Sequence, residues 1–517
     1  MQDFGVTERT VVRFGATFAV HVLRAGLSLV GGLVVARALG AADYGDLSFL
    51  LASFAAIGQL WDLGTSSAFY TFIARRPRAP RFFAMYLGWL VFQAAATLLA
   101  VALVIPEGLV RRIWIGQDRG TVLLAFAASF MMTQVWMAAS QLGEAVRRTV
   151  LVQVMSLFQA LVHLGLVVAA ARAGWLGVQT LLLLLVAEYV LLGTVLGPRL
   201  VRANLAPTRD EDTGAAIVAE FARYCAPLVI YGWVGFVYAF ADRWLLQAYG
   251  GAAQQGFFAV GLQFANISLI ATSSILRVFW KEVAEATERQ DTQRAATLYA
   301  SICRRFYFAS AWVSCLLIPF SREIIASTVG PGYDGAAPTL ALLLLFPLHQ
   351  SLGQISGTFF YATGRTQAYA RIGLAVMGIS IPSTYLMLAD RSALVPGLGL
   401  AAVGLAIKML LLQIVSVNAQ GWKIARDNGV RFEWGYQATV LALLLGLGFV
   451  CRLGADGAIF LVGIREPMLT EAALAAAAYM LVSGACVFVA PSLAGLTRSD
   501  VRLAMDGLTR RDRPIAA

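Results

Sequence analysis

Cysteine and histidine are scarce in this sequence, with five and three copies among 517 residues. The cysteines are scattered, mostly within apolar stretches, and there is neither a CxxC pair nor a histidine cluster. This pattern predicts small packing residues and not metal or redox chemistry. A phosphate-binding glycine loop and a nucleophile motif are also missing, so we predict that the protein is not an enzyme. The cysteines are Cys225, Cys303, Cys315, Cys451 and Cys486.

Charged residues are scarce as well, at 13% of the chain, whereas hydrophobic residues make up 59%. About fourteen apolar stretches are each long enough to cross a bilayer as a helix, which takes about 20 residues. They run from Phe14–Leu39 to Ala472–Val489 and leave no room for a sizeable soluble domain. The first stretch is too long for a removable signal peptide. Because lipid cannot hydrogen-bond the backbone, the sequence predicts an all-α polytopic membrane protein with about 14 transmembrane helices.

Lysine and arginine concentrate in alternate connections between the apolar stretches. With the N-terminus in the cytoplasm, about 28 of the 40 basic residues lie on the inner side and about 10 on the outer side. An even number of spans then returns the C-terminus to the cytoplasm. The formal charge of +11 therefore indicates topology and not a nucleic-acid-binding surface. The connection that contains Arg111, Arg112 and Arg119 departs from this rule.

One short motif occurs twice, about 210 residues apart. Each copy joins one apolar stretch to the next through a short turn, and the second copy has one inserted residue. Transporters are often built from two related bundles, so the repetition predicts two parallel six-helix lobes. The copies are Leu39-Gly40-Ala41-Ala42 with Gly45 and Phe54, and Tyr249-Gly250-Gly251-Ala252 with Gly256 and Phe264. The predicted domains are an N-lobe at 1–205, a cytoplasmic interlobe linker at 206–220, a C-lobe at 221–430, and the last two spans with a cytoplasmic tail at 431–517.

Several short motifs resemble those of a known transporter family. They are the run Gly32-Leu33-Val34-Val35-Ala36-Arg37-Ala38-Leu39-Gly40 followed by Asp43-Tyr44-Gly45, then Asp62-Leu63-Gly64, Ala226-Pro227, Asp242-Arg243-Trp244 and the charged stretch Lys281–Arg305. Over essentially the whole chain, the sequence resembles the polysaccharide flippases. These are the O-antigen, Wzx-type members of the multidrug, oligosaccharidyl-lipid and polysaccharide exporter superfamily.

This resemblance implies a fold, a substrate and a location. The expected fold is two six-helix lobes around a V-shaped cavity that works by alternating access. The expected activity is movement of an undecaprenyl-diphosphate-linked oligosaccharide from the cytoplasmic to the periplasmic leaflet of a bacterial inner membrane. The implied partners are the lipid-linked glycan, membrane lipids, and the polysaccharide polymerase and assembly proteins, with no nucleic acid.

A carrier of an anionic lipid-linked sugar needs cationic groups within the membrane. Arg24 lies about 11 residues into the first span, with His21 one turn away on the same face. A cation at this depth normally faces a cavity or a partner, and the guanidinium suits phosphate oxygens. The resemblance also implies cationic cavity residues on the first helix. We predict that Arg24 binds the diphosphate, with an interhelical ion pair or snorkelling as the alternative.

Three further cations are weaker candidates for diphosphate binding. Lys408 lies within a span, among residues that otherwise pack. Arg277 and Lys281 close the eighth span on the predicted cytoplasmic side and are expected to receive the headgroup first. Ordinary inner-surface charge is the alternative for these two residues.

Glu188 stands alone in the apolar run Leu181–Leu192. It is expected either to pair with Arg24 or Lys408, or to bind a coupling proton. No cofactor motif is present, so no cofactor is predicted apart from a coupling proton or sodium ion.

Asp62, Asp242 and Arg243 are predicted towards the outer ends of their helices. There they are expected to fix helix positions or an external gate through charge pairs, with ion transport as a secondary role. His163 is a single histidine on an apolar face, which predicts a satisfied packing position.

Two other classes of function are alternatives to a flippase. A cation-coupled drug or small-molecule antiporter of the same superfamily has the same fold, but favours buried carboxylates where this chain has Arg24 and His21. A membrane polysaccharide polymerase or ligase usually needs a sizeable external loop for its catalytic groups. The longest external connection here, Gly454–Glu471, is short and carries few charges, which disfavours an enzyme.

Overall fold

The computed structural model describes residues 8–206, 213–267, 269–430, 432–462 and 467–500. Within these ranges the chain is almost entirely helical, and the only β-type pairing is an isolated bridge between Arg78 and Leu205. Short 3₁₀ and π segments join or extend several helices. The α-helices are α1 Glu8–Asp62, α2 Thr65–Arg75, α3 Pro80–Leu99, α4 Glu107–Ile113, α5 Arg119–Phe130, α6 Trp136–Ala145, α7 Thr149–Arg172, α8 Val178–Asn204, α9 Gly214–Cys225, α10 Val229–Leu245, α11 Ala252–Ile267, α12 Leu269–Glu288, α13 Thr292–Leu317, α14 Ser321–Thr328, α15 Ala337–Leu343, α16 Phe346–Ala362, α17 Thr366–Leu388, α18 Ala401–Asp427, α19 Trp434–Val462 and α20 Pro467–Val489.

Twelve helical segments of the described residues are long and apolar enough to cross a membrane. One of them, Val22–Asp62, covers two predicted spans, which are separated by a kink at Gly40 with φ 79° and ψ 171°. The predicted span Phe257–Leu276 falls on α11 and α12, with Ser268 between them outside the described residues. The prediction of an all-helical polytopic membrane protein is confirmed.

Internal contacts divide the chain into two compact units. The first is Met1–Val260 with Met377–Leu405, and the second is Gly261–Val376 with Ala406–Ala517. This grouping does not test the predicted lobes, linker and tail, which stay predictions. Large apolar side chains such as Leu87, on α3, and Phe460, on α19, are exposed, as expected of helix faces that contact lipid.

In the first unit, α1 packs against α5, α7 and α10, and α5 and α6 pack against α8. Aromatic rings join α2 to α3, where Phe69 stacks on Tyr86 with ring centroids 4.0 Å apart. Phe72 meets Phe221 of α9 edge-on, with a centroid distance of 5.2 Å. These contacts hold α9, the helix that begins within the predicted linker, against α2 and α3.

The connection between α3 and α5 departs from the positive-inside pattern, and two of its three arginines have local partners. The guanidinium of Arg119 donates to the carbonyl oxygens of Ala102 and Ile105 at 2.8 Å. Its Nε also lies 3.2 Å from the carboxylate of Glu107, which pairs with Arg111 as well. Arg119 thus closes the helical end that follows α3, and Arg111 forms an ion pair within α4.

The two copies of the repeated motif pack against each other. Gly40 and Gly251 share an unusual conformation, since Gly251 has φ 81° and ψ 173°. Gly251 is therefore the counterpart of Gly40, and the inserted residue of the second copy comes before it. A Cβ atom on Gly45 would lie 1.8 Å from the carbonyl oxygen of Ala252, and one on Gly256 would lie 2.1 Å from that of Ala41.

In the second unit, α13 packs against α16 and α19, and α19 packs against α20. Arg452 of α19 forms ion pairs with Glu323 of α14 and with Glu471 of α20. Trp312 of α13 donates to the hydroxyl of Ser483 of α20 at 2.8 Å. The last two predicted spans are therefore tied to α13 and α14 by polar contacts.

Candidate functional site within the first unit

The candidate site lies where α1, α7 and α8 approach each other. Arg24 is on α1, half-buried, and its charge acts on Tyr189 of α8. In the described part of the chain, its guanidinium takes part in no hydrogen bond and no ion pair. A cation in a membrane-spanning helix is costly when it faces lipid, so this position indicates a polar or ligand-binding environment.

Glu188 precedes Tyr189 on α8 and is only 8% exposed, and its charge also acts on Tyr189. Its carboxylate accepts a hydrogen bond of 2.9 Å from Nε2 of Gln159. The Nδ1 atom of His163 lies 3.0 Å from Oε1 and 3.1 Å from Oε2 of the same carboxylate. Gln159 and His163 are one turn apart on α7 and present the same face to α8.

This arrangement compensates a buried carboxylate in two ways. Taking an ionised acid out of water costs several kcal/mol unless it is paired and hydrogen-bonded. With a proton on Nδ1, His163 donates to the carboxylate, beside the hydrogen bond from Gln159. The Glu188 carboxylate is therefore both paired and hydrogen-bonded by side chains of α7.

The observed partner of Glu188 was not foreseen in the sequence. Glu188 was expected to pair with Arg24 or Lys408, or to bind a proton, and His163 was expected only to pack. Among the described residues, the ion-pair partner of Glu188 is His163. The sequence did show that Gln159 and His163 lie on one face of the helix that precedes α8. Their contact with Glu188 could not be predicted from this spacing, because it depends on how α7 and α8 align.

The other predicted cations have different surroundings. Lys408 of α18 is 2% exposed, so in this conformation it offers almost no surface to a ligand. Lys281 of α12 is exposed. His21 and Arg277 lie on α1 and α12, and their side chains are outside the described part of the structure.

Asp62 lies at a break between α1 and α2. Leu63 and Gly64 both have positive φ, at 50° and 84°. The Asp62 carboxylate accepts hydrogen bonds from the backbone N–H groups of Gly64, at 3.2 Å, and Ser66, at 2.9 Å, and so stabilises the start of α2. The expected position of Asp62 towards the outer end of its helix stays a prediction.

Asp242 and Arg243 make separate contacts although they are adjacent on α10. Asp242 is 7% exposed and accepts a hydrogen bond of 2.6 Å from the hydroxyl of Thr384. The guanidinium of Arg243 lies over the ring of Phe258, 4.7 Å from its centroid. Asp242 thus links α10 to α17 by a hydrogen bond. The role of Asp242 and Arg243 in an external gate stays a prediction.

An ion pair made by a buried arginine of the first unit was also missed. Arg78, 3% exposed, donates two hydrogen bonds of 2.9 Å to the carboxylate of Glu220 on α9. Its Nε donates to the carbonyl oxygen of Phe72 at 3.1 Å, and its backbone N–H donates to that of Asn204 at 3.2 Å. The sequence showed Arg78 only as one of several inner-side arginines, because nothing local marks it as buried.

The second unit contains an apolar cavity of about 590 Å³ between α16, α18 and α19. Its lining includes the indole rings of Trp422 and Trp434 and the ring of His349. Its surface is mostly apolar, so it suits a hydrocarbon chain better than a sugar.

Solved membrane transporters have a similar architecture. An inward-closed structure of the lipid II flippase MurJ aligns with a TM-score of 0.68 at 11% identity, over 92% of this chain and 99% of that chain. An inward-facing multidrug resistance MATE family transporter of the MOP superfamily aligns with a TM-score of 0.56 at 15% identity, over 78% and 95% of the two chains. A MOP superfamily transporter from Pyrococcus furiosus aligns with a TM-score of 0.53 at 13% identity, over 80% and 95%.

At these identities the similarity shows the fold alone. The three proteins are named as a flippase and two transporters. This chain shares their fold. No curated protein sequence matches it significantly. Residues 13–279, more than half of the chain, match the family described as "Polysaccharide biosynthesis protein", and the chain belongs to that family.

Proposed function

We propose that this protein is a flippase for an undecaprenyl-diphosphate-linked oligosaccharide, such as a repeat unit of O-antigen, capsule or exopolysaccharide. It moves this lipid from the cytoplasmic to the periplasmic leaflet of a bacterial inner membrane, with both of its own termini in the cytoplasm. The support is the combination of a polysaccharide biosynthesis family with a transporter fold. Polymerase and assembly proteins that use the delivered glycan are the expected partners.

The position of Arg24 is the main observation that supports this proposal. Arg24 places a half-buried guanidinium on a membrane-spanning helix, without an ion pair among the described residues. An anion bound there satisfies the guanidinium, and a diphosphate offers paired oxygens that match its fork. Arg277 and Lys281 would receive the headgroup at the cytoplasmic mouth, and Lys408 would contact it only in a conformation that exposes its ammonium.

Contacts within each unit agree with the proposed topology. In the first unit, Arg78 joins the α2–α3 connection to the ends of the α8–α9 connection through Asn204 and Glu220. In the second unit, Arg305 donates to the carbonyl oxygen of Gly495, after the last span. Each pair joins connections that the proposal puts on the cytoplasmic side.

We infer that a proton, not a sodium ion, drives transport. The atoms around the Glu188 carboxylate are a ring nitrogen of His163 and the side-chain nitrogen of Gln159. Sodium prefers oxygen ligands, as other hard cations do, whereas a carboxylate and an imidazole share a proton readily. Loading and release of this proton would change the charge next to Tyr189, on which the charge of Arg24 also acts, and so alter the affinity of Arg24 for the diphosphate.

The test is flipping of a fluorescent undecaprenyl-diphosphate oligosaccharide by the protein in proteoliposomes. We expect Arg24→Ala to reduce the rate by at least tenfold, and Arg24→Lys to restore it only in part, because an ammonium lacks the fork. Arg172→Ala, which removes an exposed arginine from the last turn of α7, is the control and should leave the rate unchanged. Equal rates in all four proteins would overturn the role of Arg24.

A cation antiporter is the second candidate, because the buried carboxylate of Glu188 is a group that can exchange a proton for an organic cation. In that case the wild type would move no lipid-linked glycan. It would instead expel small organic cations against a proton gradient, and Arg24→Ala would not reduce this efflux. The same vesicles, loaded with a fluorescent cation, distinguish the two functions.

A further inference from the structure

An apolar cavity of about 410 Å³ lies in the first unit between α2, α3 and α9. It is separate from the site at Arg24 and Glu188. The cavity is open along α9, where Val218 is 56% exposed and Ala222 is also exposed. Its walls include Met85, Tyr86, Trp89, Phe221 and Cys225.

One end of the cavity is acidic. Leu63 and Thr65 form this end, directly after Asp62, and the hydroxyl of Thr65 is hydrogen-bonded to Asp62 and to Nε1 of Trp89. The charge of Asp62 acts on both Tyr86 and Cys225 of the cavity wall. A negatively charged headgroup is therefore disfavoured at this end.

A basic residue lies just beyond the opposite end. Arg81 lies one turn before Met85 on α3, and its guanidinium Nη2 is 3.0 Å from where a Cβ atom of Gly214 would lie, at the start of α9. Arg78 is held by Glu220, so Arg81 is the arginine placed to meet an external anion here. From Ile217 to Cys225 the wall extends about 12 Å along α9 at helical rise.

We propose that this cavity binds an acyl chain of an anionic glycerophospholipid, with the lipid phosphate at Arg81 and the chain directed towards Asp62. The apolar walls accept hydrocarbon, the open side lets the chain enter from the bilayer, and the opposite charges of the two ends set its direction. The occupant is a resident lipid of one leaflet and not the transported lipid. A transported diphosphate has to pass through the membrane, whereas this cavity ends at a carboxylate that repels it.

Photocrosslinking of the wild-type protein tests the proposal without any variant. The full chain is placed in nanodiscs that contain phosphatidylglycerol with a diazirine at the end of one acyl chain. After illumination, peptides are mapped by mass spectrometry. We expect the label on Met85–Trp89 and Phe221–Cys225 above all other segments. Labelling spread evenly over the lipid-facing helices would overturn the proposal.

Two substitutions with matched controls test the walls and the basic end separately. Ala222→Trp fills the cavity and should reduce labelling at Trp89 about tenfold, whereas Ala95→Trp, also at an exposed alanine but further along α3, should not. Arg81→Gln should lower the preference for phosphatidylglycerol over phosphatidylcholine about fivefold, the effect of one basic residue near a membrane surface, and Arg75→Gln should not.

Competition decides between lipid classes. An unlabelled polyprenyl diphosphate that displaces the probe at equimolar concentration would overturn the assignment to a phospholipid. Equal labelling by phosphatidylglycerol and phosphatidylcholine in the wild type would overturn the role of Arg81. Because the readout is the labelled peptide and not transport, these results are independent of the proposed flippase activity.

Discussion

Gly45 and Gly256 occupy the same place in the two copies of the repeat, and each packs against the backbone of the other copy. Gly45 approaches the carbonyl oxygen of Ala252, and Gly256 approaches that of Ala41. The motif that marks the repetition in the sequence is thus also the contact that joins the two copies. Its glycines are required because a side chain at either position would meet backbone, which cannot move aside as a flexible side chain can.

Gly45→Ala should therefore destabilise the protein. The new Cβ atom would lie 1.8 Å from the Ala252 carbonyl oxygen, so the two backbones must separate. We expect a loss of about 1–3 kcal/mol, typical of overpacking. Thermal unfolding of the purified protein measures it. Gly31→Ala, on the same helix with open space around it, should be neutral or stabilising. An equal melting temperature for the two variants would show that the close approach is not maintained.

Glu188→Gln should uncouple transport from the proton gradient. The amide keeps the size of the side chain but cannot be ionised, so the pair with His163 no longer gains or loses charge. We expect downhill flipping to continue while its stimulation by a proton gradient disappears. Glu144→Gln, at an exposed acid of α6, is the control and should keep the stimulation. A Glu188→Gln variant that is stimulated as strongly as wild type would exclude proton coupling at this pair.

Arg78→Ala should weaken the attachment of α9. It removes two charge-assisted hydrogen bonds to Glu220 and leaves a backbone carbonyl without its donor. We expect a loss of about 3 kcal/mol, because hydrogen bonds to charged groups contribute more than neutral ones. Arg78→Lys should restore little, since an ammonium cannot form the paired bonds. Arg75→Ala, at the exposed end of α2, should leave the melting temperature unchanged.

Asp118 should make a pH-dependent contribution to stability at the start of α5. The N–H and hydroxyl of Thr121 donate to its carboxylate at 2.9 Å and 2.8 Å and lower its pKa below the usual value. A lowered pKa in the folded state means that the contribution is complete above the unfolded pKa of about 3.9 and is lost as the pH falls through the folded value. Asp118→Ala should cost about 1 kcal/mol at pH 7. This difference should shrink below pH 4, and a constant difference would contradict the capping role.

Much of the fold follows from the sequence because the bilayer imposes simple rules. Long apolar runs predict helices, and the depth of Arg24 and Glu188 within their runs predicts that both lie inside the membrane. The number of separate helices was less predictable. At Gly40 the chain turns sharply within one almost continuous helical stretch, and at Asp62 a predicted span is broken in two.

The candidate site was predictable only in part, because the bilayer makes a buried charge costly without selecting its partner. Residue type and depth identified Arg24 and Glu188, since an ionisable group in hydrocarbon is costly wherever it lies. Which groups compensate that cost depends on how α7 and α8 align, and this alignment brings His163 and Gln159 to Glu188. The ion pair between Arg78 and Glu220 likewise joins residues that are far apart in the chain, and so does the apolar cavity beside Trp89. Residue types and their spacing are enough to show that helices cross a membrane and carry buried charge. Which charges meet depends on tertiary packing, because lipid sets the cost of a buried group but not its partner.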